Sequence, residues 1–225
     1  MKLVKPLNKY FDHTLLKPEA TLSQIEKLCS EAKEYDFYSV CVNTCYVEKC
    51  AELLKGTDVK IAAVIGFPLG ACTTATKVFE AEEAFKKGAS EVDMVLNVGV
   101  FKDGNDDFIV NDIKAVVEKA REYNGIVKVI LETCLLTKEE IKKASELSMK
   151  AGAQFVKTST GFANPKGIDG FPLPNGASEH HVELMRKTVG PEMGVKASGG
   201  VRTHEDLLAM AASYGLQDIL DRTQK

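Results

Sequence analysis

Four charged side chains stand within short apolar segments of the sequence. Asp93 follows Val92, and Lys128, Lys157 and Lys196 also follow valines. Parallel strands are buried on both faces and are normally continuous apolar runs, so a charge inside one is costly unless it binds something or loses its charge. One such lysine is more often structural, as a snorkelling residue or in a buried ion pair. Three of them, on three separate runs, favour a shared chemical role.

Strand geometry brings these charges to one surface. Side chains alternate between the two faces of a strand, which places Lys157 on the same face as Ser159 and Lys196 on the same face as Ser198. In a closed barrel that face is the interior. We therefore expect the lysines and Asp93 to converge in one confined space.

Converging buried lysines suit imine chemistry. An amine attacks a carbonyl only when it is neutral, and the pKa of free lysine is ~10.4. Burial and a nearby second ammonium both lower that pKa, and a drop of about three units corresponds to ~4 kcal/mol of differential interaction. Lys157 and Lys196 on neighbouring strands would act on each other in this way. On this argument alone either lysine qualifies as the nucleophile.

Two glycine-containing segments follow the last two of these runs and indicate an anion site. Gly199 and Gly200 end a strand within the segment Lys196–Arg202, which precedes a helix start at Thr203, while Gly161 ends the segment Thr158–Gly161. Glycine allows close approach of the backbone to a ligand, and free amides at helix starts attract anions. A Gly-Gly pair alone is usually a turn. After a strand that carries an interior lysine, it favours a phosphate cup, which barrels commonly form near their seventh and eighth strands.

The elements that would position these residues alternate regularly along the chain. Capping boxes at Thr21–Gln24 and Thr137–Glu140 begin two helices, Ser178 and Thr203 are caps for two more, and amphipathic patterns predict helices over 76–87 and 107–123. Short β-branched runs between the helices predict parallel strands. The strand predictions are Tyr38–Asn43, Val59–Ile65, Glu91–Asn97, Val127–Glu132, Gln154–Thr158 and Gly194–Ser198.

This alternation leaves an open sheet and a closed barrel as alternatives. An open dinucleotide-binding sheet would carry a G-x-G-x-x-G turn after its first strand, and the sequence has none. Polar residues at several strand ends favour an α/β fold of the single-domain (β/α)8 TIM-barrel type over residues 1–225. The length of 225 residues is short for that fold, which typically needs ~250 and at least ~200.

Composition excludes several classes of function. A formal net charge of −3 argues against general nucleic-acid binding, and no apolar run approaches the ~20 residues of a membrane helix. The start of the sequence lacks a secretory signal and the six cysteines fit free thiols, so we expect a cytoplasmic protein. Cysteine and histidine spacing predicts no metal site.

Three other features are ambiguous. The loop Gly66–Gly70 lines a pocket or is simply a turn, and Cys41 is better interpreted as core packing. The segment Asn164–Gly176, rich in glycine and proline, is long enough for a lid or an irregular connection.

Six segments together resemble the deoxyribose-phosphate aldolases, in the order and spacing of that family from near the N-terminus to about Tyr214. They are Phe11-Asp-His-Thr-Leu-Leu, Val64-Ile-Gly-Phe-Pro-Leu-Gly, Glu91-Val-Asp-Met-Val-Leu-Asn, Val127-Lys-Val-Ile-Leu-Glu-Thr, Phe155-Val-Lys-Thr-Ser-Thr-Gly and Val195-Lys-Ala-Ser-Gly-Gly-Val-Arg. The resemblance implies a class I, Schiff-base-forming aldolase without metal or cofactor. Such an enzyme interconverts 2-deoxy-D-ribose 5-phosphate with D-glyceraldehyde 3-phosphate and acetaldehyde, and works in nucleoside catabolism as a homodimer or homotetramer.

The resemblance also implies roles for individual residues. Lys157 matches the lysine that forms the imine, and Lys196 matches the second lysine, which lowers the pKa of the first and helps to move protons. Asp93 matches the acid/base of a proton relay, with Asp12 and Lys128 as supporting residues.

The same resemblance implies the phosphate site and the first strand. Gly161, Gly199 and Gly200 match the backbone that binds phosphate. Asp12-His-Thr matches a short first strand, which puts Lys157 on strand six and Lys196 on strand seven.

The sequence departs from the family in two places. Residues after about 214 lack the Gly-Thr-Ser-Ser-Gly-like loop and the β-branched run of the family's eighth strand, so that strand is expected to be missing or altered. Phe162 follows Gly161 where some members carry lysine. Two alternatives therefore stand beside the aldolase: a folded barrel with weak or no activity, and a phosphosugar isomerase without imine chemistry.

Overall fold

The computed structural model describes residues 6–163 and 176–200. Within these residues, seven parallel strands form one sheet in which each strand pairs with the next along the chain, as a TIM-barrel-like α/β fold requires. The strands are β1 (Asp12–Leu15), β2 (Ser39–Asn43), β3 (Lys60–Ile65), β4 (Glu91–Val95), β5 (Ile126–Ile130), β6 (Phe155–Lys157) and β7 (Gly194–Lys196).

The sheet is strongly curled. In a flat sheet, β1 and β7 would be separated by six strand spacings, or about 29 Å. Instead, the carboxylate of Asp12 on β1 lies 3.1 Å from the ammonium of Lys196 on β7. The predicted barrel architecture is therefore confirmed, and the first strand implied by the family resemblance is present.

Strand alternation separates two cores, as expected for a barrel. Val92, Val129 and Val156 point outward into the large apolar core between the sheet and the helices. Their neighbours Asp93, Lys128 and Lys157 point inward, where Cys41, Ala62 and Val64 form a small separate apolar cluster.

Helices follow the strands and cover the outer face of the sheet. They are α1 (Leu22–Glu34), α2 (Val47–Leu53), α3 (Thr74–Lys86), α4 (Val98–Lys102), α5 (Asp106–Arg121), α6 (Lys138–Lys150) and α7 (Glu179–Val189), with 3-10 turns at Leu7–Tyr10, Thr44–Tyr46 and Thr133–Leu135. The short helices α2 and α4 were not predicted, because five to seven residues are too few for a clear helical period.

The predicted caps are present where the structure describes them. Capping boxes begin α1 at Thr21 and α6 at Thr137, and the Ser178 hydroxyl accepts the amide of His181 at 3.3 Å. Helices α3 and α5 begin slightly earlier than predicted, because the side chains of Thr73 and Asn105 cap them.

Some predictions fall on residues outside the described ranges. These are the helix after Thr203, the eighth strand, the residues after 214 and nearly all of the segment Asn164–Gly176. No helix in the described ranges is both long and apolar enough to cross a membrane.

Candidate active site

Six charged side chains meet inside the barrel, three ammonium groups and three carboxylates. We call them the interior charge cluster: Asp12, Glu91, Asp93, Lys128, Lys157 and Lys196. They come from β1, β4, β5, β6 and β7, so the cluster exists only when the sheet is curled. Equal numbers of opposite charges offset much of the cost of burying them.

Lys157, the predicted nucleophile, forms an ion pair with Asp93, the predicted acid/base. The Lys157 Nζ lies 2.6 Å from Asp93 Oδ2, and both residues are buried. Burial alone would lower the pKa of Lys157, but the Asp93 carboxylate outweighs it and leaves that pKa above its ordinary value. Burial likewise acts to raise the pKa of Asp93, and the ammonium groups of Lys128 and Lys157 hold it below its ordinary value. The pair is therefore charged, with a direct path for a proton between its members.

Lys128 lies at the centre of the cluster. Its Nζ is 2.5 Å from Glu91 Oε2, 2.9 Å from Asp93 Oδ1 and 3.6 Å from Asp12 Oδ2. These carboxylates overcome the effect of burial and hold the pKa of Lys128 well above its ordinary value. Lys128 is therefore a fixed positive charge beside Asp93 and is poorly suited to be a nucleophile.

Lys196 pairs with a different carboxylate from Lys157, although the two lysines are register partners on β6 and β7. Its Nζ lies 3.1 Å from Asp12 Oδ2, and Asp12 also accepts the Ser39 hydroxyl at 2.8 Å. Burial acts to raise the pKa of Asp12, but Lys196, Lys128 and Ser39 together lower it strongly.

The expectation that Lys196 lowers the pKa of Lys157 is not met in this arrangement. Asp93 contacts Lys157 directly and raises its pKa, and the ammonium that acts against this rise is that of Lys128. The physical reason is pairing: the charge of Lys196 is directed at Asp12. Lowering the pKa of Lys157 would require a change in its contact with Asp93.

Cys41 is buried beside the same pair. Its Sγ lies 3.9 Å from Asp93 Oδ2, and burial raises the pKa of the thiol to about 12. A neutral thiol packed with Ala62 and Val64 agrees with the interpretation of Cys41 as core packing, here in the barrel interior.

Glu91 and its partner Tyr38 were not predicted from the sequence as site residues. The Tyr38 hydroxyl donates to Glu91 Oε1 at 2.6 Å, and Glu91 is almost completely buried against Lys128. A signal was available, because Glu91 stands two residues before Asp93 and alternation places both on the same face. A carboxylate at the start of a strand is easily taken for a solvated end.

The loops that follow β6 and β7 are joined through Ser198. Its hydroxyl donates to the Ser159 carbonyl at 2.7 Å and accepts the Ser159 amide at 3.1 Å, while its amide donates to the Thr158 hydroxyl at 3.0 Å. The structure thus brings Gly161 and the Gly199–Gly200 pair to the same end of the barrel.

Gly161 and Gly200 share two features that suit a ligand. Both have a left-handed backbone, at φ values of +84°, and no heavy atom of the other described residues lies within 4 Å of the position that a Cβ would occupy. Gly199 is also left-handed, at φ +81°. The open space beside Gly161 and Gly200 would let a ligand approach the backbone closely. The Ser159 hydroxyl, buried nearby, makes no hydrogen bond to any residue within 6–163 or 176–200.

Glu132 fixes the loop after β6 and was also missed. It is a buried residue with a left-handed backbone, at φ +57°. Its carboxylate accepts the Thr160 amide at 3.2 Å and a very short hydrogen bond from the Thr160 hydroxyl, which in turn accepts the Phe162 amide at 3.0 Å. Glu132 therefore holds the turn that contains Gly161.

Phe162 lies at the rim of this end of the barrel. Its ring meets Phe67 edge-on, with centroids 5.3 Å apart. The Gly66–Gly70 loop does line a pocket, because Pro68 and Leu69 contribute to an apolar hollow together with Phe162. The other residues around the hollow are Val95, Val98, Glu132, Leu135 and Ala163.

Comparison with known proteins identifies close relatives. A model of the DeoC/LacD family of aldolases matches residues 7–213. A deoxyribose-phosphate aldolase of Clostridium novyi (strain NT) is 59% identical over 207 residues, 92% of this chain and 88% of that protein. A crystal structure from Coccidioides immitis, provisionally assigned as a deoxyribose-phosphate aldolase, is 42% identical with a TM-score of 0.83, over 97% of this chain and 85% of that one.

A third relative is a tetramer. The tetrameric deoxyribose phosphate aldolase of Aeropyrum pernix is 31% identical with a TM-score of 0.82, over 92% of this chain and 82% of that one. The similarity thus spans every strand that contributes to the interior charge cluster.

Proposed function

The chain belongs to the DeoC/LacD family of aldolases, and from this premise we propose that it is a class I deoxyribose-phosphate aldolase. It cleaves 2-deoxy-D-ribose 5-phosphate reversibly to D-glyceraldehyde 3-phosphate and acetaldehyde, through an imine on Lys157. The observation that carries the assignment of Lys157 is its contact of 2.6 Å with Asp93, inside the barrel. Lys196 instead pairs with Asp12.

Imine formation begins with the charged Lys157–Asp93 pair. A proton passes from Lys157 Nζ to Asp93 Oδ2, and the neutral amine attacks C1 of the open-chain aldehyde. Asp93 returns the proton to the C1 hydroxyl of the carbinolamine, which leaves as water. The product is a protonated imine at C1, and Asp93 is again a carboxylate.

Cleavage uses the protonated imine as an electron sink. Asp93, directly or through one water, removes the proton of the C3 hydroxyl. The C2–C3 bond breaks, its electron pair moves toward the imine nitrogen, and C3 becomes the aldehyde of glyceraldehyde 3-phosphate. The remaining enamine takes a proton at C2, and addition of water releases acetaldehyde and regenerates Lys157. The water lost in imine formation is recovered in this last step.

The two other lysines of the cluster assist this pair. Lys128 keeps Asp93 ionised from one side, because it lies 2.9 Å from Asp93 Oδ1. We assign Lys196 as the second lysine of the mechanism; it is the register partner of Lys157 on the neighbouring strand, and it forms an ion pair with Asp12. In this position it can supply or accept protons as the enamine forms and decays.

The substrate phosphate would lie against Gly161, Gly199 and Gly200. The left-handed conformation of these glycines and the open space beside Gly161 and Gly200 support this placement. Backbone amides suit a phosphate because they donate without a side chain between them and the ligand.

A retro-aldol assay on deoxyribose phosphate tests the function against its alternatives. We expect release of acetaldehyde, and borohydride reduction in the presence of acetaldehyde should leave one ethyl group on Lys157. Binding without turnover would favour the inactive barrel, and product without trapping would favour an enzyme without imine chemistry. Label that persists in the Lys157→Leu variant would refute the assignment of the nucleophile.

We further infer a cytoplasmic homo-oligomer, a dimer or a tetramer, with one barrel domain over residues 1–225. The family match over residues 7–213 supports a single domain, and the tetrameric relative supports self-association. The free cysteines of the described ranges agree with a reducing compartment. Light scattering on the purified protein would determine the oligomeric state, and a monomer would contradict this part of the proposal.

A further inference from the structure

Glu91 is the member of the interior charge cluster to which the mechanism gives no role. It lies on β4, two residues before Asp93, and is almost completely buried. Its two oxygens face different partners: Oε2 lies 2.5 Å from Lys128 Nζ, and Oε1 accepts the Tyr38 hydroxyl at 2.6 Å. A buried carboxylate with no contact to Lys157 could simply balance charge, but its partner Lys128 also contacts Asp93.

This chain of contacts gives Glu91 influence over the nucleophile. The Lys128 ammonium forms ion pairs with three carboxylates, those of Glu91, Asp93 and Asp12. The Asp93 carboxylate in turn contacts two ammonium groups, those of Lys128 and Lys157. We propose that Glu91 is a positioning residue that sets, through Lys128, how firmly Asp93 holds the Lys157 ammonium. The inference rests on the proposed imine chemistry of Lys157.

The direction of the effect follows from charge. Lys157 is faced by Asp93 from β4, Lys128 from β5 and Cys41 from β2, with Lys196 beside it on β7. Asp12 on β1 contacts both Lys128 and Lys196. Removing the charge of Glu91 leaves three cations with two anions in this enclosed space. Lys128 would then attract Asp93 more strongly, and the neutral form of Lys157 would become easier to reach.

Glu91→Gln makes this change with little alteration of shape. The Gln carbonyl can accept from Lys128, and its amide can donate to Tyr38, because a hydroxyl both donates and accepts. Tyr38→Phe is the matched control: it removes the hydrogen bond of 2.6 Å and keeps the Glu91 charge. Glu91→Asp is the intermediate variant, because it keeps the charge but moves it away from Lys128 by one methylene.

The experiment measures the second-order rate constant for trapping acetaldehyde on the free enzyme with cyanoborohydride, as a function of pH. This rate constant reports the ionisation of the free enzyme and is independent of cleavage. For Glu91→Gln we expect the acid limb of the profile to move to lower pH by about one unit. A charge in direct contact shifts a pKa by ~1–3 units, and Glu91 acts on Lys157 only through Lys128 and Asp93, so we expect the lower end of that range. Glu91→Asp should move it in the same direction by less, and Tyr38→Phe should leave it unchanged.

Each outcome decides something. An acid limb that stays in place or moves to higher pH in Glu91→Gln would overturn the inference, as would an equal movement in Tyr38→Phe, which would indicate a purely structural role. If Glu91→Gln does not fold, Glu91→Asp decides alone: movement to lower pH supports the inference and an unmoved limb overturns it. Wild-type protein that is not labelled at any pH would instead refute the imine chemistry.

Discussion

Lys157 and Lys196 are register partners on adjacent strands, yet their ammonium groups contact different carboxylates. Lys157 Nζ lies 2.6 Å from Asp93 Oδ2, whereas Lys196 Nζ lies 3.1 Å from Asp12 Oδ2. Two lysines that look equivalent in sequence are therefore distinguished by their partners. One is joined to the acid/base of the proposed mechanism, and the other is held beside it.

Exchange of each lysine for methionine should separate their roles. Lys157→Met should abolish both turnover and labelling by acetaldehyde and borohydride, because the nucleophile is gone. Lys196→Met should lower turnover by roughly 10²-fold or more, the range of general acid–base effects, and still be labelled on Lys157. Peptide mass mapping locates the label. Label on Lys196 in the Lys157→Met protein would reverse the assignment.

Asp93→Asn should uncouple imine formation from cleavage. Asparagine cannot take the C3 hydroxyl proton, so the rate of cleavage should fall by ~10²–10⁴-fold. Asparagine cannot carry the proton during imine formation either, so labelling with acetaldehyde should be slower than in the wild type. It should still reach Lys157 and extend to lower pH, because asparagine removes the charge that raises the pKa of Lys157. Steady-state assays and trapping on the same samples test this. The exposed residue Asp103 offers a control, since Asp103→Asn should change neither property.

Asp12 should make the stability of the fold dependent on pH in the acid range. The pKa of Asp12 is lower in the folded protein than the ~3.9 of an unfolded chain. Its contribution is therefore present above about pH 4 and is lost as the pH falls through the lower, folded value. Asp12→Asn should cost roughly 3 kcal/mol at pH 7 and flatten the loss of stability below pH 4. Urea unfolding at pH 7, 4 and 3 measures both effects, and parallel curves for the two proteins would contradict the expectation.

Glu132 should control discrimination between phosphorylated and unphosphorylated substrates. Glu132→Ala removes the acceptor of the Thr160 amide and hydroxyl and frees the turn that contains Gly161. With deoxyribose phosphate we expect kcat/KM to fall by about 10-fold, mainly through KM, since hydrogen bonds to charged groups are worth ~1.5–3 kcal/mol. With deoxyribose itself, kcat/KM should stay nearly constant.

The matched control for Glu132 is an exposed glutamate in the following helix. Glu139→Ala in α6 should affect neither substrate. An equal loss on both substrates in Glu132→Ala would show that Glu132 supports the barrel as a whole rather than the proposed phosphate site.

Much of this architecture was readable from local patterns. Capping boxes at Thr21 and Thr137 predicted helix starts, because a cap is a contact within four residues and needs no knowledge of the rest of the chain. Alternation predicted that Asp93 and Lys157 point to the same interior, because side-chain direction along a strand has a period of two. Element ends were less predictable: β6 and β7 are three residues each, shorter than their apolar runs.

The sequence alone thus indicated that an acid and several lysines lie on one face of a parallel sheet, and it favoured a barrel, since a charge inside an apolar run is visible without coordinates. Only the tertiary structure decided which charges pair. The contact of Asp12 with Lys196 joins the first strand to the seventh, and that of Lys157 with Asp93 joins residues 64 positions apart. Such contacts depend on the curl of the sheet, which cannot be predicted from a local sequence pattern. For the same reason, the raised pKa of Lys157 and the place of Glu91 beside Lys128 emerged only with the fold.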